Sequence, residues 1–465
     1  MSEETQTPFQ AAIVGSGPSG FYAAEALLRS GENVRVDMFE RLPTPFGLVR
    51  GGVAPDHPKI KKVANVYDRT ARKEHFRFFG NVGIGEDVSI DDLRRAYHAV
   101  IFAYGASESR RLGIPGDDLS GSHTATEFVG WYNGHPDFTD LSFDLSHETA
   151  AVIGQGNVAA DLARILLTPV EQLERTDIAD HALEALRSSA VRHVHVIGRR
   201  GPAQAKFTPK ELEELGQIEG CLACADPADL ELNRESREEL EDSKNRSAVK
   251  NMELFREFAR NDPCEAERTC RFRFFESPAE ILGDDRVQGL ALRRNRLTGE
   301  PFRQRAEGTD ETRRIDCGLV FASIGYRGVP ISGLPFDPDA NVIPNEKGRI
   351  LKDGRPMPGL YVAGWIKRGA TGLIGNNRAC STETVQQVLE DAAELKSASR
   401  EGGAGILRML QAEGVPAVSY AGWDAIDAAE REAGAACGKE RRKFVRVADM
   451  LELVAPPDGG GVRRP

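Results

Sequence analysis

The chain has 465 residues, 40% of them hydrophobic and 28% charged, with a formal net charge of −11. This balance fits two or three globular domains able to enclose a large cofactor. No apolar run approaches the ~18–20 residues of a membrane span, and the negative charge argues against nucleic acid as a bulk partner. The acidic, polar start MSEETQTPFQ has neither a secretory nor a transit-peptide pattern, so a cytoplasmic location is expected. Seven dispersed cysteines do not make a disulfide scaffold.

In chain order, Phe9 to Gly15 (FQAAIVG) reads as a buried strand ending at glycine. Gly15-Ser16-Gly17-Pro18-Ser19-Gly20 follows, then a helix from Phe21 to Arg29 and a second strand from Asn33 to Glu40. A lone G-x-G-x-x-G is weak evidence. Between a strand and a helix, with an acid at the next strand end, it predicts a dinucleotide. Gly15 suits the tight turn, Gly17 the approach of a pyrophosphate, and Gly20 close packing of helix on strand. The helix N-terminus offers free N–H groups to phosphate. Glu40 can accept from ribose hydroxyls and repels a 2′-phosphate, so FAD or NAD is expected here rather than NADP.

The same unit recurs. Ala150 to Gly154 is a strand, Gln155-Gly156-Asn157-Val158-Ala159 a loop, and Ala160 to Leu167 a helix stopping near Pro169. Ala159 replaces the third glycine, a permitted variant. One or two helices are expected in Glu171 to Ser189, then a strand from Val191 to Gly198. Arg199 and Arg200 stand where an acid would select NAD. Their planar guanidinium groups suit the 2′-phosphate of NADP. The bland alternative is a pair of solvated surface arginines.

Further on, 225–262 is charge-rich and reads as helix on a solvated face. Phe272 to Phe275, Val287 to Arg294, Cys317 to Ile324 and Leu360 to Ala363 read as strands. The last 65 residues read as amphipathic helices up to Val454, with 456–465 an unstructured tail. Gly369 to Gly375 (GATGLIG) reads as a helix-entry loop able to approach a ligand through backbone N–H groups.

The runs VGSGPSGFYAAEALL, LPTPFGLVRGGVAPDHPKIK, FRFFGNVGIGEDV, VIGQGNVAADLARILL, VIGRRGPAQAKFTPKEL and GWIKRGATGLIGNN together resemble the adrenodoxin reductase family. The likeness is greatest to its actinobacterial NADPH–ferredoxin reductases and covers residues 9 to about 455. It implies hydride passing from NADPH to FAD, then single electrons to a ferredoxin that feeds cytochrome P450 or similar acceptors. It places FAD at the first loop. Ser16, Gly17, Pro18 and Gly20 match the FAD pyrophosphate loop and Glu40 the ribose acid. Leu48, Val82, Trp365, Gly372, Leu373 and Ile374 match further FAD contacts. Arg110, Gln155, Gly156, Asn157, Val158, Arg199, Arg200 and Glu211 match NADP contacts. His57, held between prolines, and Glu214 match a pair with a plausible proton-handling role, against which stands an ordinary loop histidine. Proline is usual in the family at Ala370, a mild departure.

The implied fold is α/β with two Rossmann-like dinucleotide-binding domains. The FAD domain is discontinuous, 1–108 with 325–465, and the NADP domain, 109–324, is inserted. Ferredoxin is the expected partner; Lys206, Lys210, Arg271, Arg273, Arg293 and Arg294 are candidates for a basic face to meet it, with solvated scatter the favoured reading for most of them. No metal is expected, and the oligomeric state is left open, a monomer being favoured. Three rivals remain. A flavin disulfide reductase would use Cys221-x-x-Cys224, although no helix-forming run follows to lower a thiol pKa. The others are an FAD monooxygenase or electron-input subunit, and a non-catalytic NADPH sensor.

Overall fold

The computed structural model describes residues 8–262 and 266–455. The acidic start and the tail 456–465 fall largely or wholly outside them. The chain divides into two compact units. One runs to Glu108 and resumes at Tyr326, and the other is Ser109–Gly325.

The first unit is built on a seven-stranded sheet. Its order is Asn345–Glu346, Arg349–Lys352, Arg355–Val362, Ala99–Phe102, Phe9–Val14, Val34–Phe39, Phe76–Phe79. The last five run parallel. Phe9–Val14 is buried along its whole length, as a central parallel strand covered on both faces must be. From it the chain winds first to one side, through Val34–Phe39 and Phe76–Phe79, and then to the other, at Ala99–Phe102. Such a reversal opens a crevice at the carboxyl ends of the strands, where the first glycine loop lies.

The second unit repeats the architecture. Its six-stranded parallel sheet has the order Ser122–Thr124, Leu319–Ala322, Thr149–Ile153, His193–Ile197, Arg268–Arg273, Cys221–Ala225. A separate antiparallel sheet joins Glu276–Leu282, Gly289–Thr298 and Arg305–Ile315. Its outer strands were illegible in the sequence. Arg305–Ile315 is mostly exposed and polar, so it lacks the apolar alternation of a half-buried strand.

The charge-rich stretch forms helices, Arg234–Glu241 and Arg246–Phe258, but not simply on a solvated face. Glu239 is 3% exposed and Phe255 is fully buried. Phe258 stacks on Phe272, and Phe255 meets Phe274 edge-on. The expected insert after Pro169 is two short helices, Val170–Leu173 and Asp180–Arg187. Among the described residues no helix is long and apolar enough to cross a membrane.

Candidate functional site: two glycine loops

In the first unit, Gly15 sits at φ +103°, and a Cβ there would lie 2.6 Å from the Cα of Tyr104. A Cβ on Gly20 would lie 2.0 Å from the Gly15 carbonyl oxygen. These two glycines let strand, turn and helix touch. Gly17 is different, because a Cβ there meets nothing within 4 Å. Helix Pro18–Leu28 starts on it with proline in the first turn and no side-chain cap. Its first N–H groups therefore face open space, as an anion site requires.

Glu40 closes over this loop. Its carboxylate accepts from the Ser16 N–H at 3.1 Å, the Ser16 hydroxyl at 2.7 Å and the Leu42 N–H at 3.2 Å. The Glu40 carbonyl accepts from the buried Val82. The segment before Leu48 lies against the loop, with the Phe46 N–H donating to the Ser16 carbonyl at 3.1 Å. Leu48 itself is 36% exposed.

The second segment returns to the same place. After strand Arg355–Val362 comes the short helix Trp365–Arg368, then 369–375, then helix Asn376–Leu395. The Ser19 hydroxyl donates to Asn377 Oδ1 at 3.1 Å, and the Ser381 hydroxyl donates to the Ser19 carbonyl at 2.9 Å. The N-termini of two helices, of 11 and 20 residues, thus lie side by side. Neither has a side-chain cap, so their partial positive charges add at one spot. Cβ atoms at Gly105, Gly369 and Gly375 would also meet nothing within 4 Å. Trp365 is half-buried, lies tilted against the Tyr326 ring with centroids 5.4 Å apart, and donates to the Thr371 carbonyl at 3.2 Å. Gly372 has φ +81°, Leu373 is 60% exposed, and Ile374 is half-buried. Sequence reasoning missed Ser19, Arg368, Asn377 and Ser381, which stitch this region, Arg368 Nη2 donating to Asn377 Oδ1 at 2.9 Å. The paired asparagines at the helix start were the available signal.

In the second unit, Gly154 holds φ +144°, and a Cβ there would lie 2.1 Å from the Ser323 carbonyl oxygen. Helix Asn157–Leu167 starts on Gly156, again without a side-chain cap and with open space at the glycine. Gln155 and Asn157 brace the loop. Gln155 Nε2 donates to the Arg273 carbonyl at 3.1 Å, and Asn157 Oδ1 accepts from the Thr208 N–H at 2.8 Å. Val158 is half-buried at the helix start.

Arg199 is exposed and Arg200 half-buried at the end of strand His193–Ile197. Among the described residues neither guanidinium has a hydrogen-bonded or ion-pair partner. Burial, then the neighbouring Arg199, pulls the Arg200 guanidinium below its usual pKa. A bound anion would relieve that repulsion. Glu211, 6% exposed, is ion-paired to buried Arg164 at 3.0 Å, which also holds Asp161 at 2.6 Å. Glu214 pairs with Lys210 at 3.1 Å. Arg110 is exposed, its N–H bonded to the Gly325 carbonyl at 3.1 Å. His57 belongs to the first unit, 7% exposed, at the start of the turn Pro58–Lys61.

The six-residue basic face is not free, since Lys210 pairs with Glu214, Arg273 with Glu276 at 2.6 Å, and Arg294 with Asp229 at 2.7 Å. Lys206 and Arg293 remain exposed. Cys221 and Cys224 lie three residues apart on one strand, on opposite faces and ~10 Å apart along it. Both are free thiols. Burial pushes Cys221 up to about 12 and raises Cys224, the reverse of what a redox thiol needs.

Comparisons agree with this geometry. Residues 9–215 match the family described as pyridine nucleotide-disulphide oxidoreductase. The chain is 43% identical to mitochondrial NADPH:adrenodoxin oxidoreductase of Arabidopsis thaliana, over 98% of this chain and 97% of the relative. It is 45% identical to NADPH-ferredoxin reductase FprA of Mycobacterium tuberculosis, over 96% and 99%. A solved structure of that FprA in complex with NADPH superposes with a TM-score of 0.91, covering 96% of this chain and 99% of the other. Likeness of this degree along nearly the whole of both chains carries the remaining step: the chain belongs to the family of NADPH–ferredoxin and NADPH:adrenodoxin reductases.

Proposed function

We propose that the chain is an FAD-containing NADPH–ferredoxin reductase, with FAD on the first unit and NADP(H) on the second. The observation that carries this reading is the contrast between the strand ends. Glu40 stands by the first loop and the unpartnered Arg199–Arg200 pair follows the second. A carboxylate repels a 2′-phosphate and two guanidinium groups attract one.

The open face at Gly17, Gly105, Gly369 and Gly375, with two uncapped helix starts beside it, fits a flavin dinucleotide. Ser16 to Gly20 would hold its pyrophosphate, Glu40 its ribose, and Leu48, Val82, Trp365 and Gly372 to Ile374 its remaining length. When bound, FAD supplies two-electron acceptance of hydride and one-electron release. The chain's own residues position and stabilise. The uncapped N-terminus of helix Asn376–Leu395 would offer partial positive charge to a cofactor that gains negative charge on reduction. Gln155 to Val158 would hold the NADP pyrophosphate, with Arg110 and Glu211 as further contacts. His57 and Glu214 would hold or move a proton; an unchanged pH profile of flavin reduction in His57→Ala would remove His57 from that role. A disulfide reductase is disfavoured by the two thiols' placement on opposite faces of one strand.

Purified chain is expected to be yellow, to oxidise NADPH, and to reduce cytochrome c only when a ferredoxin is added. Colourless protein that still binds NADPH would favour a sensor, and NADPH-dependent hydroxylation of a small molecule would favour a monooxygenase. In the Arg199→Ala, Arg200→Ala variant, kcat/KM for NADPH should fall about 100-fold, with NADH nearly unaffected. That is the size expected when two charge-assisted contacts, ~1.5–3 kcal/mol each, are lost in part. An unchanged NADPH:NADH ratio would remove the pair from the site.

A further inference from the structure

The arginine pair is mounted on an unusually well-held stretch of backbone. The carbonyls of Gly198, Arg199 and Arg200 are each taken by a separate donor. The Glu276 N–H reaches the Gly198 carbonyl at 3.0 Å, Asn295 Nδ2 reaches that of Arg199 at 3.0 Å, and the Phe275 N–H reaches that of Arg200 at 3.0 Å. The Gly198 N–H donates in turn to the Arg273 carbonyl at 2.9 Å. These partners span the junction from the end of strand Arg268–Arg273 to the start of strand Glu276–Leu282, joined by Asn295 of the three-stranded sheet's middle strand.

Two features of that junction are costly by themselves. Phe275 sits at φ +55°, a region side chains rarely adopt. Asn295 is 7% exposed and lies at a break in register with strand Arg305–Ile315. The two are tied together, since the Asn295 N–H donates to the Phe275 carbonyl at 2.7 Å. The Asn295 amide also donates to the Ser277 hydroxyl at 2.8 Å, which fixes its orientation. The Phe275 ring occupies the place a Cβ on Gly201 would take, 2.6 Å away, and lies beneath the Arg294 guanidinium at 5.3 Å. Strain of this kind persists where surroundings over-determine it, and it gathers at ligand sites.

Two adjacent guanidinium groups grip one phosphate only if their Cα atoms are held, because each long side chain otherwise keeps its rotamer freedom. We propose that Asn295, through its bond to the Arg199 carbonyl and its tie to Phe275, is a positioning residue that sets NADPH over NADH discrimination. This rests on the reading of Arg199 and Arg200 as the 2′-phosphate site. Asn295 touches no part of the dinucleotide in this proposal and acts through the backbone alone.

The test uses the flavin-loaded full chain with Asn295→Leu, which keeps the branched outline of the side chain and removes the donor. The NADPH:NADH ratio of kcat/KM should fall about tenfold, the effect of one oriented hydrogen bond lost from a charged site. Binding of 2′,5′-ADP should weaken by a similar factor while binding of 5′-ADP stays unchanged. Should Asn295→Leu not fold, Ser277→Ala removes the acceptor that orients the amide, and a smaller shift in the same direction is expected. A lowered melting temperature with an unchanged ratio and unchanged 2′,5′-ADP binding, in whichever variant folds, would make the role merely structural and overturn the proposal. Arg199→Ala with Arg200→Ala separates the failures. If that variant loses discrimination and the Asn295 and Ser277 variants do not, only the positioning role falls. If it keeps discrimination, the phosphate site itself falls, and the proposal with it.

Discussion

Gly20→Ala should yield a protein that retains almost no flavin and unfolds more easily. The Cβ it introduces would sit 2.0 Å from the Gly15 carbonyl oxygen and 3.3 Å from Ile13 Cγ2. The first neighbour is backbone, so it cannot swing aside as a side-chain end could. Helix Pro18–Leu28 would have to move off strand Phe9–Val14, at a cost of about 1–3 kcal/mol from overpacking. The same movement carries the helix N-terminus away from its place beside Asn377. A dinucleotide held by those N–H groups would bind on the order of 100-fold more weakly for ~3 kcal/mol of lost contact. Gly17→Ala is the informative contrast, because a Cβ there meets nothing within 4 Å. That variant should fold as stably as the parent when stripped of flavin, yet bind FAD poorly, since the new methyl fills the space the pyrophosphate would use. Flavin absorbance per chain and melting of the stripped protein read the two effects apart. Full flavin content in Gly20→Ala, or unimpaired binding in Gly17→Ala, would move the cofactor away from this loop.

Why the two loops were legible from sequence, and much of their support was not, follows from range. Glycine spacing, the strand before it and the residue closing the next strand are local. Glu40 lies 20 residues after Gly20, and Arg199–Arg200 end the strand that follows the second loop. The bonds that make the site are long-range. Ser19 meets Asn377 across 358 residues, and Asn295 meets Arg199 across 96. Neither Asn nor Ser at an isolated position announces such a partner. Charge was the least legible property. Arg273 and Arg294 looked available for a partner protein, but a sequence does not show that Glu276 and Asp229 fold back to neutralise them. The C-x-x-C spacing is ambiguous in sequence for a related reason. On a helix it brings two thiols to one face, and on the strand Cys221–Ala225 it sends them to opposite faces.

The same long-range logic governs the most consequential buried charge in the first unit, that of Glu430. It is fully buried, on helix Tyr420–Ala435. Its carboxylate accepts from Arg50 Nη1 at 2.8 Å and Nη2 at 2.5 Å, from Arg441 Nη1 at 2.7 Å and from the Phe444 N–H at 2.9 Å. Arg50 also lies over the Trp423 ring at 5.3 Å, and Trp423 meets Phe46 edge-on. Helix Tyr420–Ala435 therefore grips the segment 46–51, which carries Leu48 and lies against the glycine loop. Glu430→Ala leaves Arg50 buried with no counter-ion in this cluster and Arg441 with Asp427 alone, and breaking a buried ion pair in this way costs about 3–5 kcal/mol. The melting temperature should drop on the order of 10 °C, and flavin should dissociate more readily because the 46–51 segment loosens. The effect has a pH signature. Burial alone would push the Glu430 carboxyl up, but Arg50 and Arg441 outweigh burial and hold it below the ordinary value of 4.5. A depressed carboxylate contributes its full stability above the unfolded pKa and loses it as pH falls through the folded one. The gap in stability between parent and Glu430→Ala should thus be constant from neutral pH down to about 4.5 and close progressively below it. A gap that persists unchanged well into acid would mean that the packing of Glu430, rather than its charge, holds the 46–51 segment in place.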